Sequence, residues 1–212
     1  MNSALEETYF LDYKAPEVQA YVSTFDRGLE PRELAVAIYN KVRDDWRYNA
    51  YIFHTRRVDM RCSAIMQRDE GHCLDKSIIL ASCFRAVGLP ARLHLVKVVN
   101  HIAVERIVEL FGTDELTPHG YVEVYLGDRW LACTPAFNKE LCDLLNVDVL
   151  EFDGEQDSMF QASDRANGKF MEYLEDYGTF DDYPYEFVLN NMDAHYPRFK
   201  SARAGRDILS MA

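Results

Sequence analysis

The chain is short of positive charge: 35 acidic side chains stand against 23 lysines and arginines, a formal charge of -12 over 212 residues. That deficit argues against a protein whose main business is gripping nucleic acid or an anionic membrane. No Gly-rich phosphate loop is present, which removes the usual sequence sign of nucleotide chemistry. No apolar run approaches the ~20 residues that span a bilayer, and the longest stretch of note is Ser77 to Phe84. The residues from Met1 to Glu7 have neither a basic region nor an apolar one, so no signal peptide is expected. Cysteine is sparse, at five, with no C-x-x-C pair. Such an odd set fits neither a disulfide framework nor a zinc site. The expected setting is a reducing cytoplasm, with most of Cys62, Cys73, Cys83, Cys133 and Cys142 acting as small buried hydrophobes. His54, His94, His101 and His195 have no metal-ligand spacing, so neither a metal nor another cofactor is expected. Asp153-Gly154-Glu155-Gln156-Asp157 alternates oxygen donors, but its glycine is misplaced for a calcium loop and no closing glutamate follows; a solvated acidic loop is expected.

What is present is a globular composition, 48% hydrophobic and 27% charged, in a length that fits one sizeable domain. Pro31 opens a helical pattern over Arg32 to Trp46, as proline at the first helical position should. A short helix is expected over Cys62 to Arg68. Cys73 to Val87 then reads as a helix apolar nearly all round, closed by Gly88 with Pro90 beyond, hence central and buried. The period changes at Ala91-Leu93-Leu95, which alternates as a strand does. Ile102 to Phe111 has the pattern of an amphipathic helix. Gly120 to Leu126 and Arg129 to Thr134 flank a two-residue Gly127-Asp128 turn, a hairpin signature. Helices followed by antiparallel strands make an α+β fold. Phe170 to Tyr177 and Glu186 to Met192 are expected to be helical. Leu5 to Tyr13 and Gln19 to Phe25 are aromatic-rich and should pack on the core.

Chemistry concentrates at Cys73, the residue that opens the buried helix. A thiol there feels the positive end of the helix dipole, which lowers its pKa. The free N–H groups of the first turn suit an oxyanion. Asp75 is expected to stabilise the helix rather than to react. A base must come from elsewhere, because the neighbouring His72 points in a different direction. The hairpin register pairs Leu126 with Arg129, Tyr125 with Trp130 and, further down, Tyr121 with Thr134. His119 and Thr134 thereby become diagonal neighbours on one face, within side-chain reach. A residue at 134 can hold an imidazole in one tautomer, the task of a third member of a triad. Cys133 falls on the opposite face and should be structural.

Gly71-His72-Cys73-Leu74-Asp75-Lys76-Ser77 and Phe84-Arg85-Ala86-Val87-Gly88-Leu89-Pro90-Ala91-Arg92 form two blocks of a recognisable pattern. The third is His119-Gly120-Tyr121-Val122-Glu123-Val124-Tyr125 with Trp130 and Thr134-Pro135. Over about residues 34–138 these blocks, in this order, resemble the core motif of the transglutaminase-like superfamily, nearest to its small bacterial members. The resemblance implies a papain-like core, Cys73 as nucleophile and His119 as base. Most of the superfamily has aspartate where this chain has Thr134. A threonine oxygen can orient the ring but brings no charge to an imidazolium. Asn138 and Glu123 could substitute in principle, though structural roles are expected for both.

The function expected is cysteine-dependent acyl transfer on a peptide or side-chain amide through Cys73, His119 and Thr134, with hydrolysis favoured. The alternatives are transfer to an amine, as in a transglutaminase, and a catalytically weak module that binds a peptide or partner. Charge divides unevenly along the chain: -5 over residues 1–150, -9 over 151–187 and +2 over 188–212. A single domain over 1–212 is expected, with an extension, residues 139–212, packed on the core or rimming its cleft. The basic stretch Arg56, Arg57, Arg61 and Arg68 is expected to meet that acidic segment, with an acidic substrate as the alternative.

Overall fold

Pro16 and Pro31 each open a helix, α1 (Pro16–Val22) and α2 (Pro31–Asp45), where the missing proline N–H costs nothing. The computed structural model describes residues 3–101, 105–159, 171–196, 199 and 208–210. Glu30 and Glu33 cap α2 reciprocally, each side chain accepting the other's backbone N–H. Two short strands follow, β1 (Arg47–Tyr48) and β2 (Ile52–His54), then α3 (Cys62–Ile65) and β3 (Glu70–Gly71). β3 pairs in parallel with β1, which delivers the chain to the start of α4 (Cys73–Ala86).

α4 is the centre of the molecule. Every residue from Cys73 to Arg85 is buried, with α1, α2 and α3 packed on it and the main sheet behind it. Ile78, Ile79, Leu80 and Phe84 are fully enclosed, each contributing about 1.5–3 kcal/mol of apolar burial. Val87 ends the helix and Gly88 follows at φ 85°, a left-handed position that favours glycine. β4 (Ala91–Asn100), α5 (Glu105–Phe111), β5 (Glu115–Leu126) and β6 (Arg129–Cys133) come next, then α6 (Lys139–Leu144). The hairpin has the expected register, from Leu126 opposite Arg129 to Val122 opposite Cys133. Gly127 and Asp128 both have positive φ, 55° and 65°, as the tight turn requires.

The main sheet runs β6-β5-β4-β7, antiparallel throughout, with β7 (Met171–Phe180) along β4. Here the structure corrects an expectation: residues 171–177 form a strand and not a helix. The open edge of β4 supplies backbone partners from Met171 to Phe180, in a register broken by two irregularities. α7 (Tyr185–His195) is helical as expected and packs against β5, while β8 (Ile208–Ser210) pairs with β2. Positions 102–104 of the expected helix over 102–111 lie outside the described residues.

The arginines of the basic stretch have acidic partners nearby. Among the described residues Arg56 meets Asp59, Arg61 meets Asp12, Arg68 meets Asp75, and Arg57 reaches the acidic segment at Glu186. The loop around Asp153 is a turn in which Asp153 accepts the Glu155 and Gln156 N–H groups, and Arg32 bonds Glu155. Among the described residues no His, Cys, Asp and Glu group could hold a metal ion, and no helix is long and apolar enough to cross a membrane.

Candidate active site

Cys73 occupies the first position of α4, and the residue before it forms the helix cap. His72 Nδ1 accepts the N–H groups of Leu74 at 3.2 Å and Asp75 at 3.4 Å. Asp75 answers by accepting the His72 N–H at 3.2 Å, completing a capping box. Gly71 is needed beneath it, since a Cβ there would lie 2.9 Å from Asp75 Cβ. The first turn therefore differs from its expected form. Two of its N–H groups, those of Leu74 and Asp75, bond His72.

β5 brings His119 to the same place. Gly120 presses on the start of α4 at Leu74. Cys73, His72 and His119 line one cavity with Tyr48, Phe53 and Thr117. The cavity measures about 50 Å³, far below the ~300 Å³ at which drug-sized ligand sites begin. Part of its wall is C-terminal, formed by Met192 and Tyr196. Tyr196 Oη accepts the Thr117 N–H at 2.6 Å and donates to the Glu115 carbonyl at 3.0 Å. Thr117 Oγ1 donates to Asn191 Oδ1 at 2.9 Å and also bonds Tyr177 Oη. The wall is thus fastened to the strand that carries His119.

Electrostatics in this enclosure favour neutral forms. Burial pushes the Cys73 thiol up to about 11, against the lowering effect of the Gly120, Leu74 and Cys73 N–H groups. The sequence-based expectation of a lowered thiol pKa is corrected: desolvation outweighs the helix terminus here. Burial, reinforced by the neighbouring His72, depresses His119 to about 4. Thiol and imidazole are therefore both uncharged at neutral pH, with no preformed ion pair.

Thr134 lies one residue past the end of β6, and its hydroxyl donates to the Met159 carbonyl. His119 Nδ1 is buried without a hydrogen-bond partner among the described residues. The structure thus brings Cys73 and His119 to one cavity and turns the Thr134 hydroxyl elsewhere. Asn138 and Glu123 have structural partners: Asn138 accepts the Tyr48 N–H, and Glu123 holds Arg92 and His94. Cys133 is wholly buried.

Two contributors escaped the sequence reading. The first is His72 as cap, because histidine is not among the favoured N-cap residues; its only signal was the acid three positions later. The second is Lys76, whose buried Nζ donates to the carbonyls of Arg43 (2.7 Å), Trp46 (2.8 Å) and Ala136 (2.7 Å). These bonds tie the end of α2 and the segment after β6 to α4. Burial pulls the Lys76 pKa down to about 7.

No curated protein matches the sequence. Among solved structures the chain is similar to the crystal structure, at 1.9 Å, of a candidate cysteine protease from Cytophaga hutchinsonii. The two share 16% identity at a TM-score of 0.50, over 87% of this chain and 48% of that one. This likeness speaks to the fold, and the present chain spans about half the length of that structure's chain. The family model for the transglutaminase-like superfamily matches residues 19–135, more than half of the sequence and all three motif blocks up to Pro135. The chain belongs to the transglutaminase-like superfamily.

Proposed function

We propose that the chain carries out cysteine-dependent acyl transfer on a peptide or side-chain amide, with water as the acceptor. The observation that supports it is the placement of Cys73 at the start of buried α4, with His119 lining the same cavity. Because both groups rest neutral, the proton moves as the bond forms. Cys73 sulfur attacks the carbonyl carbon while His119 takes the thiol proton, and the Cys73 N–H stabilises the oxyanion. The C–N bond then breaks, and His119 returns the proton to the departing amine. Water attacks the thioester, giving its proton to His119. The C–S bond breaks and the thiol is restored.

Thr134 holds the third position in this scheme. Rotation of its hydroxyl from Met159 to His119 Nδ1 would orient the ring once substrate binds, as catalytic hydrogen bonds often tighten only in the complex. Residues 1–212 form one domain in this reading, because β7 completes the sheet and α7 walls the cavity. A stable, active product ending near Asn138 would contradict that. The free thiols fit a reducing, cytoplasmic setting.

Trapping an acyl-enzyme on Cys73 from cell extract, with the Cys73→Ala chain as control, tests the reading and identifies the acyl donor. Ammonia release against incorporation of a fluorescent amine then separates hydrolysis from transamidation. A second reading, a weakly catalytic binding module, is favoured by one observation, the unpartnered His119 Nδ1. If no acyl-enzyme forms and His119→Ala leaves Cys73 alkylation unchanged, the binding module replaces the enzyme.

A further inference from the structure

We propose that His72 is a positioning residue for Cys73, a proton-sensitive cap that holds the nucleophile's helix in place only while its imidazole is neutral. The usual caps of a helix, Ser, Thr, Asp and Asn, accept through oxygen and do not change at neutral pH. Here the acceptor is a ring nitrogen. Nδ1 receives both the Leu74 and the Asp75 N–H, so it carries no hydrogen of its own. The ring proton is therefore on Nε2, which lies 3.4 Å from Asp75 Oδ2. Asp75 closes the arrangement through the His72 backbone N–H. Phe53 covers one face of the ring, with centroids 5.2 Å apart, and His72 itself is 5% exposed. A second proton would have to go on Nδ1, where it would point at two N–H donors and displace them.

The consequence reaches Cys73 because the cap is formed by the residues on either side of it. With Leu74 and Asp75 held, Cys73 keeps its place at the head of α4, in the cavity it shares with His119. Among the described residues, the charged and titratable groups around the ring are Asp75 and Cys73 on its own helix, Arg68 before β3, His54 on β2 and His119 on β5, with Tyr48 and Tyr196 lining the same cavity. Arg68, His54 and His119 can be cationic, and Asp75 is acidic. Burial first, and Arg68 after it, keep the ring neutral against the pull of Asp75. The neutral state is the one that caps, so acid below the ordinary 6.5 of histidine weakens the first turn of α4 and not the rest of the helix.

The proposal rests on the acyl-transfer reading only for its effect at Cys73; the cap itself is tested without activity. In the ¹⁵N-labelled chain of residues 1–212 at pH 7.5, His72 should show the Nε2–H tautomer with a bare Nδ1. The Leu74 and Asp75 amides should lose about fivefold of their exchange protection in His72→Ala, the equivalent of a lost cap. In His72→Asn, whose side-chain oxygen can accept in the same place, protection should return. Protection at these two amides should fall in the wild type as pH drops below 6.5 and stay level in His72→Asn. An Nδ1–H tautomer, or the same pH dependence in both proteins, overturns the proposal, and neither measurement needs His72→Ala to fold. A positioning role adds one readout: His119→Ala should slow Cys73 alkylation in the wild-type and His72→Asn backgrounds, and have no effect in His72→Ala. If His119→Ala has no effect in any background, the base assignment fails while the amide data still decide the cap. If it slows alkylation equally in all three, His72 does not position Cys73.

Discussion

Gly120 lies so close to Leu74 that a Cβ at position 120 would stand 2.6 Å from Leu74 Cδ2. The residue after His119 and the residue after Cys73 are thus in direct contact, and that contact sets the spacing of the two reactive groups. Gly120→Ala should cost about 1–3 kcal/mol by overpacking, because the added Cβ would also stand 3.4 Å from Leu95 Cδ2 and 3.6 Å from Ser77 Oγ. Urea melts should show the loss, and Cys73 alkylation should change with it. A variant as stable and as reactive as the wild type would mean that the contact is slack.

The buried thiol should titrate late. With Cys73 pushed up to about 11 by desolvation, its iodoacetamide labelling, followed on the Cys73 peptide by mass spectrometry, should still be climbing at about pH 9.5. A helix-activated thiolate would instead level off below neutral pH. A plateau there would mean that the enclosure opens in solution.

Stability should fall in acid. His119 sits at about 4 in the folded chain against an ordinary 6.5, so between those values the unfolded chain takes up a proton that the folded chain refuses. The contribution is complete above pH 6.5 and is lost as pH falls through 4. The gap between the two values converts to up to about 3 kcal/mol. Urea denaturation at pH 7.5 and 4.5 should show this drop in the wild type and a smaller one in His119→Gln. Equal drops would assign the acid sensitivity to other groups.

Restoring the family's carboxylate tests the third position. Thr134→Asp should raise the His119 pKa, read by NMR, by about 1–3 units if the carboxylate reaches the ring, and Cys73 should alkylate faster at pH 7. Thr134→Val should cost about 1 kcal/mol for the lost Met159 bond. An unmoved His119 in the aspartate variant would remove position 134 from the site.

Lys76→Met should be among the more damaging single changes in the core. It strands the carbonyls of Arg43, Trp46 and Ala136, which all accept from Nζ. Unsatisfied buried acceptors cost about 1–3 kcal/mol each, so the urea midpoint should drop sharply. A small effect would show that water replaces the ammonium.

Local chemistry was legible from the amino acids alone. The Gly127-Asp128 turn determined the hairpin register, and the run from Cys73 to Val87 announced a buried helix with cysteine at its head. These are effects of a few consecutive residues, written in periodicity and turn preference. The order of the three motif blocks carried the superfamily, and the match over residues 19–135 agrees with it. The strand over 171–180 was not legible, because an irregular pattern becomes a strand only where the β4 edge offers it hydrogen bonds.

The state of the site was decided by tertiary structure. Whether the Cys73 thiol is charged depends on how completely it is desolvated, and Met192 and Tyr196, more than a hundred residues away, help to line its cavity. Whether Thr134 holds His119 depends on Met159, which takes the hydroxyl first. The sequence by itself determined which groups stand at the head of α4 and on the hairpin. Only the packed chain decided their protonation and their partners, because solvation and long-range hydrogen bonds belong to whatever folds over a residue and not to its neighbours in sequence.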